Sequence, residues 1–125
     1  GVDSLRGKSV FIHGGSSGVG STAIALARCF GARLVQATAG SPERAAQCER
    51  QFGAHKAFDY HTEAWWDAAE RADVILDLVG APNLEQNLAL LNQGGRLVVI
   101  GFMGGHRTAA PISLSRLLLK NLTVT

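Results

Sequence analysis

A chain of 125 residues, 46% apolar and 18% charged, can bury about two thirds of the surface its unfolded form exposes, enough for one domain with its own core. A net charge of +2 with no Lys/Arg cluster argues against nucleic acid or an acidic membrane as a partner. No apolar run approaches the ~20 residues that cross a bilayer, and Gly1-Val2-Asp3-Ser4 has no signal-peptide pattern, so a cytoplasmic location is expected.

Gly1 to Gly7 reads as a lead-in with turn character. Lys8 to His13 reads as a first strand, because Val10, Phe11 and Ile12 are consecutive apolar residues, as in a strand covered on both faces. Gly18 to Phe30 has helical spacing, with Val19, Ala23, Leu26/Ala27 and Phe30 as its expected packing stripe and Gly31 as its stop. A second strand spans Arg33 to Thr38. Ser41 then caps a helix with Pro42 in its first turn, running to about Phe52 and stopping at Gly53.

Ala54 to Tyr60 is a third, weaker strand, followed by a short helix over Glu63 to Arg71. That helix carries Trp65 and Trp66, of which at most one can face a core. Asp73 to Leu78 is the fourth strand and Gly80-Ala81-Pro82 breaks it. Asn83 to Leu91 is helical with Leu84, Leu88 and Leu91 on one face. Asn92 to Gly95 turns the chain into a fifth strand, Arg96 to Gly101. A glycine-rich loop follows from Phe102 to Pro111, then a short helix over Ser113 to Lys120 and a sixth strand from Leu122 to Thr125.

Strands that alternate with helices predict an α/β domain with a parallel sheet and right-handed crossovers. With a glycine turn after the first of six strands, the expected architecture is a Rossmann fold: three αβα layers, a doubly wound sheet in the order 3-2-1-4-5-6, and a ligand crevice between strands one and four.

The turn His13-Gly14-Gly15-Ser16-Ser17-Gly18-Val19-Gly20 stands where this fold holds a phosphate. Glycines let the backbone bend tightly and approach the anion, and the following helix offers free N–H groups and the positive end of its dipole. Gly14, Ser17 and Gly20 fit one spacing of the motif, and Gly15, Gly18 and Gly20 fit another. Ser16 and Ser17 can add hydroxyl donors or cap the helix. The second strand ends in Gln36-Ala37-Thr38-Ala39-Gly40-Ser41, with no acid to accept from a ribose 2′-hydroxyl. Ser41 can instead donate to a 2′-phosphate, with Arg44 one helical turn on, so NADPH is the expected cofactor.

Tyr60 can cover the adenine or ribose, or stand as a rim aromatic. Asp77 is expected to orient nearby backbone. His13, His55, His61 and His106 show no ligand spacing and are expected to be structural or exposed. Cys29 and Cys48 make neither a metal set nor a disulfide framework and are expected as buried or half-buried thiols. Phe102-Met103-Gly104-Gly105 lies after the fifth strand, where a nicotinamide would reach.

Together these residues resemble the cofactor domain of zinc-independent, zeta-crystallin-like quinone oxidoreductases among the medium-chain dehydrogenases/reductases. The likeness rests on Val10 to Gly20, Ala37-Thr38-Ala39-Gly40-Ser41, Phe52-Gly53-Ala54 with Asp59-Tyr60, Asp73 to Gly80, Gly95 to Gly101 and Leu117 to Thr123. It implies hydride transfer from NADPH to quinones or other α,β-unsaturated carbonyls, without a metal. It assigns the pyrophosphate to Ser17, Gly18, Val19 and Gly20 and the 2′-phosphate to Ser41 and Arg44. Further cofactor contacts fall on Tyr60 and Gly80, and nicotinamide contacts on Gly101, Phe102, Met103 and Gly104. It also implies a homodimer through the last strand. The family's GroES-like catalytic domain is absent from these residues, so residues 1–125 are expected to be the cofactor domain alone, inactive in isolation. The stretch from Tyr60 to Asp73 is shorter than the family's.

A short-chain dehydrogenase would need a Tyr-xxx-Lys pair, but the only tyrosine is Tyr60 and Ala64 stands four residues on. A methyltransferase would want an acid after strand two. A non-catalytic NADP(H)-binding or sensing module is the alternative from another class.

Overall fold

The computed structural model describes residues 4–108 and 110–125. Expectations that fall on Gly1, Val2, Asp3 and Ala109 lie outside the described residues. Six parallel strands form one sheet: β1 (Ser9–Ile12), β2 (Leu34–Ala39), β3 (Lys56–Asp59), β4 (Ala72–Asp77), β5 (Leu91–Val99) and β6 (Thr123–Val124). Their order is β3-β2-β1-β4-β5-β6, the doubly wound arrangement expected from the alternation of elements.

Alternation along the strands sorts side chains into two cores. Val10 and Ile12 of β1 and Val35, Ala37 and Ala39 of β2 join Ile24 and Ala27 of α1 (Gly18–Cys29) and Ala45 of α2 (Pro42–Gln47). Phe11 and Ile75 point the other way, to Trp65 of α3 (Trp65–Ala68) and Leu88 of α4 (Leu84–Leu90). Trp65 is core while Trp66 is exposed.

Several boundaries depart from the sequence reading. In α1 the buried positions are Gly20, Ile24 and Ala27, whereas Val19 and Leu26, expected inside, are 54% and 48% exposed. The close approach of Gly20 to the preceding turn sets the rotation of this helix. Cys29 is exposed, where a buried or half-buried thiol was expected; Cys48 is buried. α2 continues as a π-helical turn over Cys48–Phe52 and ends at Gly53, whose φ of +97° makes the stop. α3 is shorter than the expected helix. In β5, Ala72 pairs with Leu91 but Val74 pairs with Arg96, so the expected turn at residues 92–95 is a bulge inside the strand. The buried face of α4 holds Asn87 and Leu88, and Leu91 belongs to β5.

The final segment is thinly anchored. α5 (Ser115–Leu119) packs only Leu117 on the second core, with Leu118 and Leu119 exposed. Lys120 ties it back: its Nζ donates to the carbonyls of Leu88, Ala89 and Leu91, at 3.3, 3.0 and 3.1 Å, capping the end of α4. Burial and the neighbouring Arg71 and Arg116 lower the Lys120 pKa. No helix among the described residues is long and apolar enough to cross a membrane.

Candidate functional site

β1 delivers the chain to the carboxyl edge of the sheet, and the glycine turn redirects it into α1. Gly14 has φ +72°, in the left-handed region that favours glycine. Ser17 closes the turn: its hydroxyl donates to the Gly14 carbonyl at 2.7 Å and accepts from the Gly20 N–H at 2.9 Å. Gly15 N–H donates to the Thr38 carbonyl at 2.8 Å, fastening the turn to β2.

The glycines differ in what they require. A Cβ on Gly20 would collide with the Gly14 carbonyl, and one on Gly15 would come within 2.8 Å of the Ala37 Cβ. Gly18 meets nothing within 4 Å. Steric need therefore falls on Gly15 and Gly20, and Gly18 faces open space at the helix N-terminus.

A cavity of 370 Å³ runs from this turn across the strand ends. It brings Gly14, Ser16 and Ser17 together with Arg44, Tyr60 and Met103. Gln47 also lines it; the sequence reading missed it, although it lies one turn beyond Arg44 on the same helix. Gly40 is narrow for a reason: a Cβ there would meet the Tyr60 hydroxyl at 3.4 Å and an Arg44 guanidinium nitrogen at 3.8 Å. Ser41 does not line the cavity. Its Oγ accepts from the Arg44 N–H at 3.1 Å and caps α2.

Tyr60, Val79 and Met103 also border a second, more apolar cavity of 420 Å³, with His13, Thr38 and Trp65 in its wall. The loop after β5 is fixed by backbone bonds. Met103 and Gly104 N–H groups donate to the Leu78 and Val79 carbonyls at 3.1 and 2.8 Å, and Ala81 N–H donates to the Gly105 carbonyl at 3.0 Å. Gly80, at φ +96°, could take no Cβ, since the Gly105 carbonyl oxygen would lie 2.6 Å away. Gly101 also passes close to β4: a Cβ there would lie 3.3 Å from the Leu78 carbonyl. Met103 is largely exposed at the crevice, whereas Phe102, also exposed, lines a separate cavity of 130 Å³ with Gly80, Leu84 and Val124.

Asp77 orients backbone, accepting from the Val79 and Gly80 N–H groups at 2.7 and 3.1 Å. His13 is buried, 4.5 Å from the Trp65 ring centroid, and burial lowers its pKa against the raising effects of Asp77 and Asn87. Asn87, which joins His13 to Asp77 by hydrogen bonds, is marked in the sequence only by its interruption of the apolar face of α4. His55 Nδ1 accepts from the Val35 N–H at 2.9 Å, and burial and Arg28 lower its pKa. Burial of Cys48, with Glu49 beside it, raises its thiol pKa to about 11, as for an inert core thiol. Among the described residues no group of three or more His, Cys, Asp or Glu is arranged to hold a metal ion. A further cavity of 530 Å³, between Trp66, Arg71, Glu85 and Arg116, contains none of the strand-end residues.

Residues 18–125 match the family model described as zinc-binding dehydrogenase. The chain is 35% identical over 104 residues to the quinone oxidoreductase of Homo sapiens, an alignment covering 78% of this chain and 31% of that protein. Among solved structures, the quinone oxidoreductase of Thermus thermophilus, solved alone and with NADPH, superposes with a TM-score of 0.79 at 31% identity, over 98% of this chain and 39% of that one. The Escherichia coli quinone oxidoreductase complexed with NADPH superposes with a TM-score of 0.79 at 25% identity, again over 98% of this chain and 39% of that one. The chain thus spans about a third of the length of the curated relatives named here.

Proposed function

The chain belongs to the zinc-binding dehydrogenase family, and from that premise and its likeness to quinone oxidoreductases we propose that its strand-end crevice binds NADPH for hydride transfer to a quinone or another α,β-unsaturated carbonyl. The observation that carries the reading is the 370 Å³ cavity joining the glycine turn to Arg44, Tyr60 and Met103. Its chemistry fits a dinucleotide phosphate. Gly20 permits a backbone approach that a side chain would block, and the N–H groups of Gly18 and Val19, in the first turn of α1, have no intrahelical partner.

In this reading the first turn of α1 takes the pyrophosphate. Arg44 pairs with the 2′-phosphate through its planar fork of donors. Ser41 contributes by fixing the start of α2, and its O–H remains available to donate. Tyr60, which lines the same cavity as Arg44, covers the adenosine. Gly80 lets the 101–104 loop pack against β4, so that Gly101, Phe102, Met103 and Gly104 face the nicotinamide. The cofactor supplies the hydride; the chain supplies binding and orientation. A catalytic domain contributes the other wall of the substrate cleft, and the 125 residues alone bind without turnover. A cytoplasmic setting belongs to the same proposal.

The edge strand β6 supports a homodimer, because Val124, Leu118 and Leu119 stand exposed beside an open ladder. Amide-shift mapping by NMR during an NADPH titration tests the site. The expected shifts fall on residues 14–20, Arg44, Tyr60 and residues 101–104. Shifts confined to the 530 Å³ cavity would contradict the assignment.

A further inference from the structure

Beneath the crevice, four buried polar side chains from four different segments join in one chain. Asp77 is 1% exposed and both its oxygens accept: Oδ1 from the Val79 and Gly80 N–H groups, Oδ2 from Asn87 Nδ2 at 2.7 Å. The Asn87 amide is thereby oriented with its oxygen toward His13 Nε2, 2.7 Å away. That ring nitrogen must carry the proton, because an amide oxygen only accepts. His13 Nδ1 then presents a lone pair to Thr38 Oγ1 at 3.0 Å, and the hydroxyl donates to it. The Thr38 oxygen in turn faces the Gly14 N–H at 3.4 Å. From Gly14 through Thr38, His13 and Asn87 every donor points toward the Asp77 carboxylate, which the Val79 and Gly80 N–H groups meet from the other side.

Both ends of this chain are crevice loops. Gly14 opens the phosphate turn. Val79 and Gly80 carry the 102–105 loop through the Gly104–Val79 and Ala81–Gly105 backbone bonds. Thr38, His13, Asp77 and Asn87 are each at most 2% exposed, where apolar residues would serve packing with less geometric demand. A shift of either loop would leave a buried polar group without its partner, which makes the arrangement stiff.

We propose that Thr38, His13, Asn87 and Asp77 are positioning residues that lock the phosphate turn and the 102–105 loop in register, so that a dinucleotide spanning both meets a preorganised crevice. The inference rests on reading that crevice as a dinucleotide site. Asp77 ties the chain to the second loop and Thr38 ties it to the first, whose own shape is held by Ser17 and by the Gly15 N–H to Thr38 carbonyl bond; His13 with Asn87 transmits register between the loops.

Thr38→Val removes the hydroxyl with little change of shape, and Thr38→Ser restores it. Calorimetry on each folded variant compares NADPH, which spans both loops, with adenosine 2′,5′-bisphosphate, which reaches only the glycine-turn side. Thr38→Val is expected to weaken NADPH about tenfold and the bisphosphate less than about twofold, with most of the loss recovered in Thr38→Ser. Asn87→Leu, which cuts the chain at its middle, is expected to give the same split. Equal losses for both ligands, or none, overturn the inference while wild-type binding leaves the dinucleotide reading standing. Wild-type protein that binds neither ligand overturns both. The 15N shifts of His13 give a ligand-free readout: a neutral Nε2–H ring at pH 7.5 is expected, and an Nδ1–H ring or an imidazolium overturns the hydrogen-bond chain.

Discussion

Gly18 and Gly20 sit two residues apart in one turn and answer to different demands. Gly20 is pressed against the Gly14 carbonyl and the Gly15 Cα, while Gly18 faces open space. Gly20→Ala should destabilise the fold by about 2 kcal/mol and weaken NADPH binding at least about tenfold, because the turn must open to admit the methyl. Gly18→Ala should leave stability within about 1 kcal/mol of wild type. Thermal unfolding of both variants checks this, and equal destabilisation would contradict it. The histidines give a second test at this scale. His13 and His55 both have folded pKa values below the unfolded 6.5, so the unfolded chain binds more protons as acid is added. Stability should therefore be full above about pH 6.5 and fall as the pH drops through it. Unfolding free energies measured from pH 8 to pH 5 check the sign; a rise toward pH 5 would contradict it. His13 was legible only as structural or exposed, since its partner Asn87 lies 74 residues on and no local pattern joins them.

Elements were easier to read than their faces. Val10-Phe11-Ile12 and Val74-Ile75-Leu76 announced β1 and β4 because strands buried on both sides need continuous apolar runs. The rotation of α1 was not legible. Its sequence is rich in Gly, Ala and Ser, so the contrast between its faces is shallow, and the contact of Gly20 with the turn decides the phase. The bulge in β5 was missed for a related reason: Asn92-Gln93-Gly94-Gly95 has turn chemistry, and only the pairing with β4 makes it part of a strand. The observed phase predicts that Ile24→Ala costs about 3 kcal/mol and Leu26→Ala less than about 1 kcal/mol. Chemical denaturation separates these outcomes, and a larger loss at Leu26 would restore the stripe expected from sequence.

At the scale of the molecule, alternation of strand and helix was enough to order the sheet, because right-handed crossovers leave few topologies. The crevice position followed from that order. Which side chains share its cavity did not: Gln47 enters through helix rotation and Ser41 is turned to its own cap. The open β6 edge predicts a dimer by sedimentation, reduced to monomer by Val124→Arg; a monomeric wild type would contradict it. On the proposed reading, the missing acid after β2, with Arg44 beside the crevice, selects NADPH over NADH. Parallel calorimetric titrations of the wild type and Arg44→Ala with both cofactors measure that preference directly. NADPH should bind the wild type at least about tenfold tighter than NADH, with the preference lost in Arg44→Ala; equal affinity of the wild type for the two cofactors would contradict it.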